Sequence, residues 1–80
     1  MLPRHDDHAG IIREVRTRLG LTQEKFAARL GVTLPTINRW ENGRASPSPL
    51  AVRNLRELVH RMGNEGKDLI GWFGSEDEPV

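Results

Sequence analysis

Apolar side chains along the chain recur at helical spacing and are cut into short blocks by glycine, proline and hydroxyl residues. The first block holds Ile12, Val15 and Leu19 with arginines between them, which predicts a helix ending near Gly20. Thr22 fits the N-cap of a second helix, with Gln23 and Glu24 in its first turn and Phe26, Ala27 and Leu30 on one face. Gly31 ends that helix. Thr33 fits the cap of a third, spanning 34–41, which stops at Asn42-Gly43. Ser48 caps a fourth helix with Pro49 at its first position, where the missing N–H costs nothing. That helix carries Leu50, Ala51, Leu55, Leu58 and Val59 to about Met62, and Gly63-Asn64-Glu65-Gly66 breaks it. Lys67 to Phe73 forms a short fifth segment with Leu69, Ile70, Trp72 and Phe73. No alternating strand pattern occurs. The expected fold is all-α: a compact domain of four to five helices.

The head of the third helix, Leu34-Pro35, looks wrong for a helix and is not. Pro35 falls at about the second helical position, where its N–H would have had no intrahelical partner. Ile37 and Trp40, three apart, form the inward stripe. Leu34, Pro35, Asn38 and Arg39 then fall on the opposite face, so the helix starts with a stiff, apolar, exposed tip.

At 80 residues the chain makes one small domain with a thin core. Residues 1–7 read as a loose arm, 8–74 as the domain and 75–80 as an acidic tail. There is no cysteine, which removes disulfides and thiolate zinc sites and fits a reducing cytoplasm. No apolar run reaches the roughly 18 residues of a membrane span. The opening residues Met1 to Asp7 lack the apolar stretch of a signal peptide.

A net charge of +1 hides a strong division. Residues 11–61 carry ten basic side chains, nine of them arginine, against four glutamates. Residues 62–80 carry one lysine against five acids. Arginine suits bidentate contact with phosphate and guanine, so a basic body moderately favours nucleic acid as partner. A solvated helical surface would show the same composition.

Two helices joined by a tight glycine turn, 23–30 and 34–41, make a helix-turn-helix by geometry; an ordinary helical hairpin shares that spacing. The residues go further. LTQEKFAARLGVTLPTINRWENGRASPSP resembles the Cro/repressor type of helix-turn-helix, the Xre family, over about residues 11–60. The resemblance rests on Thr22-Gln23, Ala27, Leu30-Gly31-Val32, Ile37, Trp40-Glu41-Asn42-Gly43 and Pro47.

That resemblance implies a bacterial transcription regulator, a repressor or an antitoxin-type autoregulator, with double-stranded DNA as partner. A protein-interaction module that keeps the fold without reading DNA is the alternative. The helix 34–41 would enter the major groove, with Leu34, Pro35, Thr36, Asn38 and Arg39 facing bases. Arg39 suits guanine, Asn38 suits adenine, and Leu34 and Pro35 suit thymine methyl groups. Best-known repressors often carry glutamine or serine where Leu34 and Pro35 stand. Thr22, Gln23, Thr33, Asn42 and Arg44 match positions that touch phosphate. Arg16 and Glu41 match a buried ion pair that holds the recognition helix at its docking angle.

Other groups carry less. His5-Asp6-Asp7-His8 has metal-binding residue types but no supporting shell, and capping of the first helix by Asp6 or Asp7 fits better. No nucleophile motif or phosphate loop occurs, so no enzyme activity, metal or cofactor is expected. Leu69, Ile70, Trp72 and Phe73 suit either of two roles. They fold back to close the core, or they stay exposed as a homodimer patch. A toxin enters as partner only with the antitoxin reading.

Overall fold

The computed structural model describes residues 2–4 and 7–73. Five α-helices follow one another: α1 (His8–Arg18), α2 (Gln23–Leu30), α3 (Leu34–Glu41), α4 (Pro49–Arg61) and α5 (Lys67–Trp72). A 3₁₀ turn, Gly63–Gly66, links α4 to α5. The described residues contain no strand. The acidic tail and the end of the expected domain lie outside the described residues, as do Met1, His5 and Asp6.

Local chemistry starts each of the first four helices. Asp7 accepts from the Gly10 N–H, Thr22 from Lys25, Thr33 from Thr36 and Ser48 from Ala51. Each cap satisfies one of the donors a helix start leaves unpaired. Gly31, at φ 74°, turns the chain left-handed between α2 and α3. An L side chain resists that conformation, so the tight turn depends on glycine.

One core runs through all five helices. Ile11, Ile12, Val15, Phe26, Ala27, Leu30, Ile37, Trp40, Ala51, Val52, Leu55, Leu58, Val59, Leu69, Trp72 and Phe73 are buried in it. α3 packs on α1 and α2, while α4 packs on α2 and α5. Gly66 seats the 3₁₀ turn against α4: a Cβ there would come within 2.6 Å of the Val59 carbonyl oxygen.

Two expectations need correction. The segment expected to be a loose arm is docked where it is described. Leu2 packs on the core, and the Trp72 indole N–H donates to the carbonyls of Pro3 (3.2 Å) and Arg4 (3.0 Å). An indole N–H taken from water needs an acceptor, and these carbonyls supply it. The dimer-patch reading of Leu69, Ile70, Trp72 and Phe73 also fails on burial. Leu69, Trp72 and Phe73 are enclosed in their own protomer's core and Ile70 is half-buried against it. The apolar run closes a core too small to finish without it.

Arg18 fastens α5 to α1. Its guanidinium meets Asp68 through two bonds of 2.7 and 3.0 Å, Glu14 at 2.8 Å and the Glu65 carbonyl at 2.9 Å. Arg18 is thus a clasp between distant segments.

Candidate nucleic-acid interface

α3 carries two faces with different duties. Ile37 and Trp40 point inward and are buried. Leu34, Pro35, Asn38 and Arg39 are exposed on the outer side, as the spacing predicts. Leu34 keeps 42 % of its surface in solvent, so the tip is apolar and open. Pro35 sits in the first turn, and the helix begins without a break.

Glu41, at the inner end of α3, sets the angle of that face. Its side chain is only 2 % exposed. Arg16 reaches it from α1 with Nε at 2.7 Å and Nη2 at 3.0 Å, a bidentate pair. Arg16 also donates to the Leu21 carbonyl at 3.1 Å. Burial pushes the Glu41 carboxyl up. The hydrogen bonds from Arg16 and Gln23 and the charges of Arg16 and Arg13 outweigh that and hold it below the ordinary glutamate range.

Sequence reasoning missed a second arginine at this carboxylate. Arg13 donates through Nη2 to the Glu41 backbone carbonyl at 3.1 Å and brings Nε within 3.6 Å of the carboxylate. It thereby caps the C-terminal end of α3, where a cation is favoured. The signal was present: Arg13 lies one turn before Arg16, on nearly the same face of α1.

Gln23 is placed differently from a free phosphate donor. Its Nε2 donates to Glu41 Oε1 at 3.0 Å, and its Oε1 faces Asn38 Nδ2 at 3.5 Å. Asn38 Oδ1 accepts in turn from Asn42 Nδ2 at 3.0 Å. Gln23 therefore links α2 to the buried carboxylate of Glu41 and faces the exposed amide of Asn38. One of its N–H groups is left over for another acceptor.

The remaining candidates gather around this frame. Thr22 and Thr33 cap α2 and α3 while staying exposed. The Thr36 hydroxyl lies 2.9 Å from that of Thr33, so it faces along the helix start. Arg39 lies in the last turn of α3, and Asn42 and Arg44 follow it in an exposed loop. The body's charge is less free than its count suggests, because Arg16 and Arg18 serve ion pairs inside the fold. Among the described residues no cluster of His, Asp or Glu can hold a metal ion. No helix there is long and apolar enough to cross a membrane.

The helix-turn-helix family pattern matches residues 12–58, the stretch from α1 through most of α4. The chain belongs to the Cro/repressor-type helix-turn-helix family. This is a family of DNA-binding regulators, not of enzymes. An uncharacterised HTH-type transcriptional regulator of Methanothermobacter thermautotrophicus is 47 % identical over 51 residues, covering 64 % of this chain and 74 % of that protein. A propionyl-CoA carboxylase regulator of Cereibacter sphaeroides is 46 % identical over 46 residues. That match covers 58 % of this chain and 10 % of the regulator. No solved structure matches the chain. α2 and α3, joined by the turn at Gly31, are two successive short helices inside that matched stretch.

Proposed function

We propose that the protein is a transcriptional regulator that reads duplex DNA by laying α3 in the major groove. One observation carries the reading. The inner side of α3 is locked to α1 and α2 through Glu41, Arg16 and Gln23, while its outer side is solvent-facing. A rigid helix presented on one edge of a small domain suits base readout, because precise hydrogen bonding needs a fixed frame.

In this reading Leu34, Pro35, Thr36, Asn38 and Arg39 meet base edges, and Arg39 takes guanine O6 and N7. Leu34 and Pro35 pack on thymine methyl groups. Thr22, Gln23, Thr33, Asn42 and Arg44 meet the backbone and set register. Repression follows if the operator overlaps a promoter. Antitoxin-type autoregulation would add a toxin as partner. A homodimer would serve a two-fold operator, with its contact outside the buried Leu69-to-Phe73 segment.

The test is a fluorescence-anisotropy titration of random-sequence and upstream-region duplexes at two salt concentrations. Affinity should fall with salt and stay tighter for the upstream duplex. Arg44→Ala should weaken all sequences alike and lower the salt slope by about one. Arg39→Ala should reduce the preference between duplexes. Absence of binding even at low salt would contradict the function and favour the protein-interaction module, for which the exposed Leu34-Pro35 tip is the supporting feature.

A further inference from the structure

α2 and α4 end beside one another and frame a cleft of about 150 Å³. Arg29 and Leu30 line it from α2, and Asn54, Glu57, Leu58 and Arg61 from α4. The four α4 residues recur at helical spacing, so one face of that helix is turned to the cleft. Leu30 and Leu58, each 7 % exposed, give it an apolar floor. Arg29 and Arg61 lie in the last turns of their helices and are exposed at its rim. A cation in a last turn offsets the dipole of its own helix, which explains one arginine at each end. It does not explain two converging on one cleft without a counterion. Glu57 stands four residues before Arg61, the spacing of a helical ion pair. Yet among the described residues neither guanidinium makes an ion pair or hydrogen bond, with Glu57 or with any other group.

We propose that this cleft binds a short-chain monocarboxylate, with its carboxylate between Arg29 and Arg61 and its apolar chain on Leu30 and Leu58. Three features select that class. The planar forks of two arginines match a carboxylate, and Asn54, half-buried beside them, adds an amide N–H donor. The lining carries two arginines and one glutamate, 2 − 1 = +1, which balances a monoanion and leaves a dianion in excess. The volume equals roughly five waters at about 30 Å³ each, so a chain of a few carbons fits and a nucleotide does not.

The exposed rim keeps water and salt within reach of the charges. Binding is therefore weak, in the millimolar range, and weakens further as ionic strength rises. The cleft shares no residue with the face proposed to meet DNA, so it stands whether or not α3 reads bases.

The experiment is a titration of the ¹⁵N-labelled protein with sodium butyrate, sodium acetate, sodium sulfate and butylammonium chloride, all at one ionic strength, followed by amide spectra. Butyrate should give saturable shifts at Arg29 to Gly31, at residues 57–61 and at the Asn54 side-chain amide. It should bind up to about tenfold tighter than acetate, because two further CH₂ groups meet the leucine floor. Butylammonium, of the same shape and opposite charge, should shift none of these. Arg29→Gln and Arg61→Gln, each first shown to be folded by thermal melting, should raise the butyrate Kd roughly threefold or more. Glu57→Gln should lower it, since it removes the one negative charge of the lining. Shifts with butyrate that never saturate, or a Kd unchanged in both arginine variants, overturn the site. Sulfate binding as tightly as butyrate overturns the ligand class. A Glu57→Gln variant that binds butyrate more weakly overturns the charge balance on which the choice of a monoanion rests.

Discussion

Replacing Glu41 with alanine tests whether the docking angle of α3 is held by charge. The carboxylate accepts two bonds from Arg16, at 2.7 and 3.0 Å, and one from Gln23 at 3.0 Å. Removing it leaves the Arg16 guanidinium, whose side chain is 18 % exposed, with the Leu21 carbonyl as its remaining hydrogen-bond acceptor. Breaking a fully buried pair from one side costs about 3–5 kcal/mol, because the other charge stays behind without compensation. Residual exposure and the Leu21 bond place this pair near the lower figure, about 3 kcal/mol. For a domain of this size each kcal/mol moves the melting temperature by roughly 4–8 °C. Glu41→Ala should therefore melt about 12–24 °C below the wild type by circular dichroism at neutral pH. The double variant Arg16→Met, Glu41→Leu should recover much of the loss, since an apolar pair of similar volume carries no stranded charge. A fall of under about 4 °C for Glu41→Ala would refute the argument. It would mean that desolvation of the pair cancels its attraction.

Three further outcomes follow from other contacts. Acidification should unfold the protein progressively between about pH 5 and pH 2, because a carboxyl lowered in the fold stabilises it above its unfolded pKa and loses that stabilisation below. Glu41 is lowered by the interactions above, and Asp68 by its hydrogen bonds from Arg18; thermal melts of Glu41→Gln should show a shallower acid limb, and an unchanged limb would count against Glu41. Gly66→Ala should destabilise because its Cβ meets backbone at Val59, whereas Gly71→Ala, in open space on α5, should raise stability by about 0.5–1 kcal/mol in urea denaturation. Trp72→Phe should cost about 1 kcal/mol and speed amide exchange at Asp7, whose N–H is bonded to the Arg4 carbonyl, since it removes the donor that holds the Pro3 and Arg4 carbonyls.

The features legible in the sequence are those governed by neighbours a few residues apart. Thr22, Thr33 and Ser48 cap their helices because the bond each makes closes within three residues. Pro35 fits the start of α3 by the same local rule, and the Ile37–Trp40 stripe is a matter of spacing. The Arg16–Glu41 pair spans 25 positions, and the family resemblance, not the spacing, points to it. Contacts without such a guide stayed hidden. Trp72 binds carbonyls 68 and 69 positions away, so the opening segment looked free. The run Leu69 to Phe73 is equally apolar whether it faces a second chain or its own core, and only packing against α4 decides. Gln23 looked like a surface amide because its spacing from Glu41 says nothing of the turn that brings them together.

The central claim is that α3 and its flanking caps meet DNA. The most direct measurement is a two-dimensional ¹⁵N–¹H amide spectrum of the protein titrated with an enriched duplex. Shifts should concentrate at residues 22–23 and 33–44, including the Gln23, Asn38 and Asn42 side-chain amides, and leave the outer face of α4 unchanged. Shifts confined to Leu50, Arg53, Glu57 and Arg61 on α4, with α3 silent, would contradict the account.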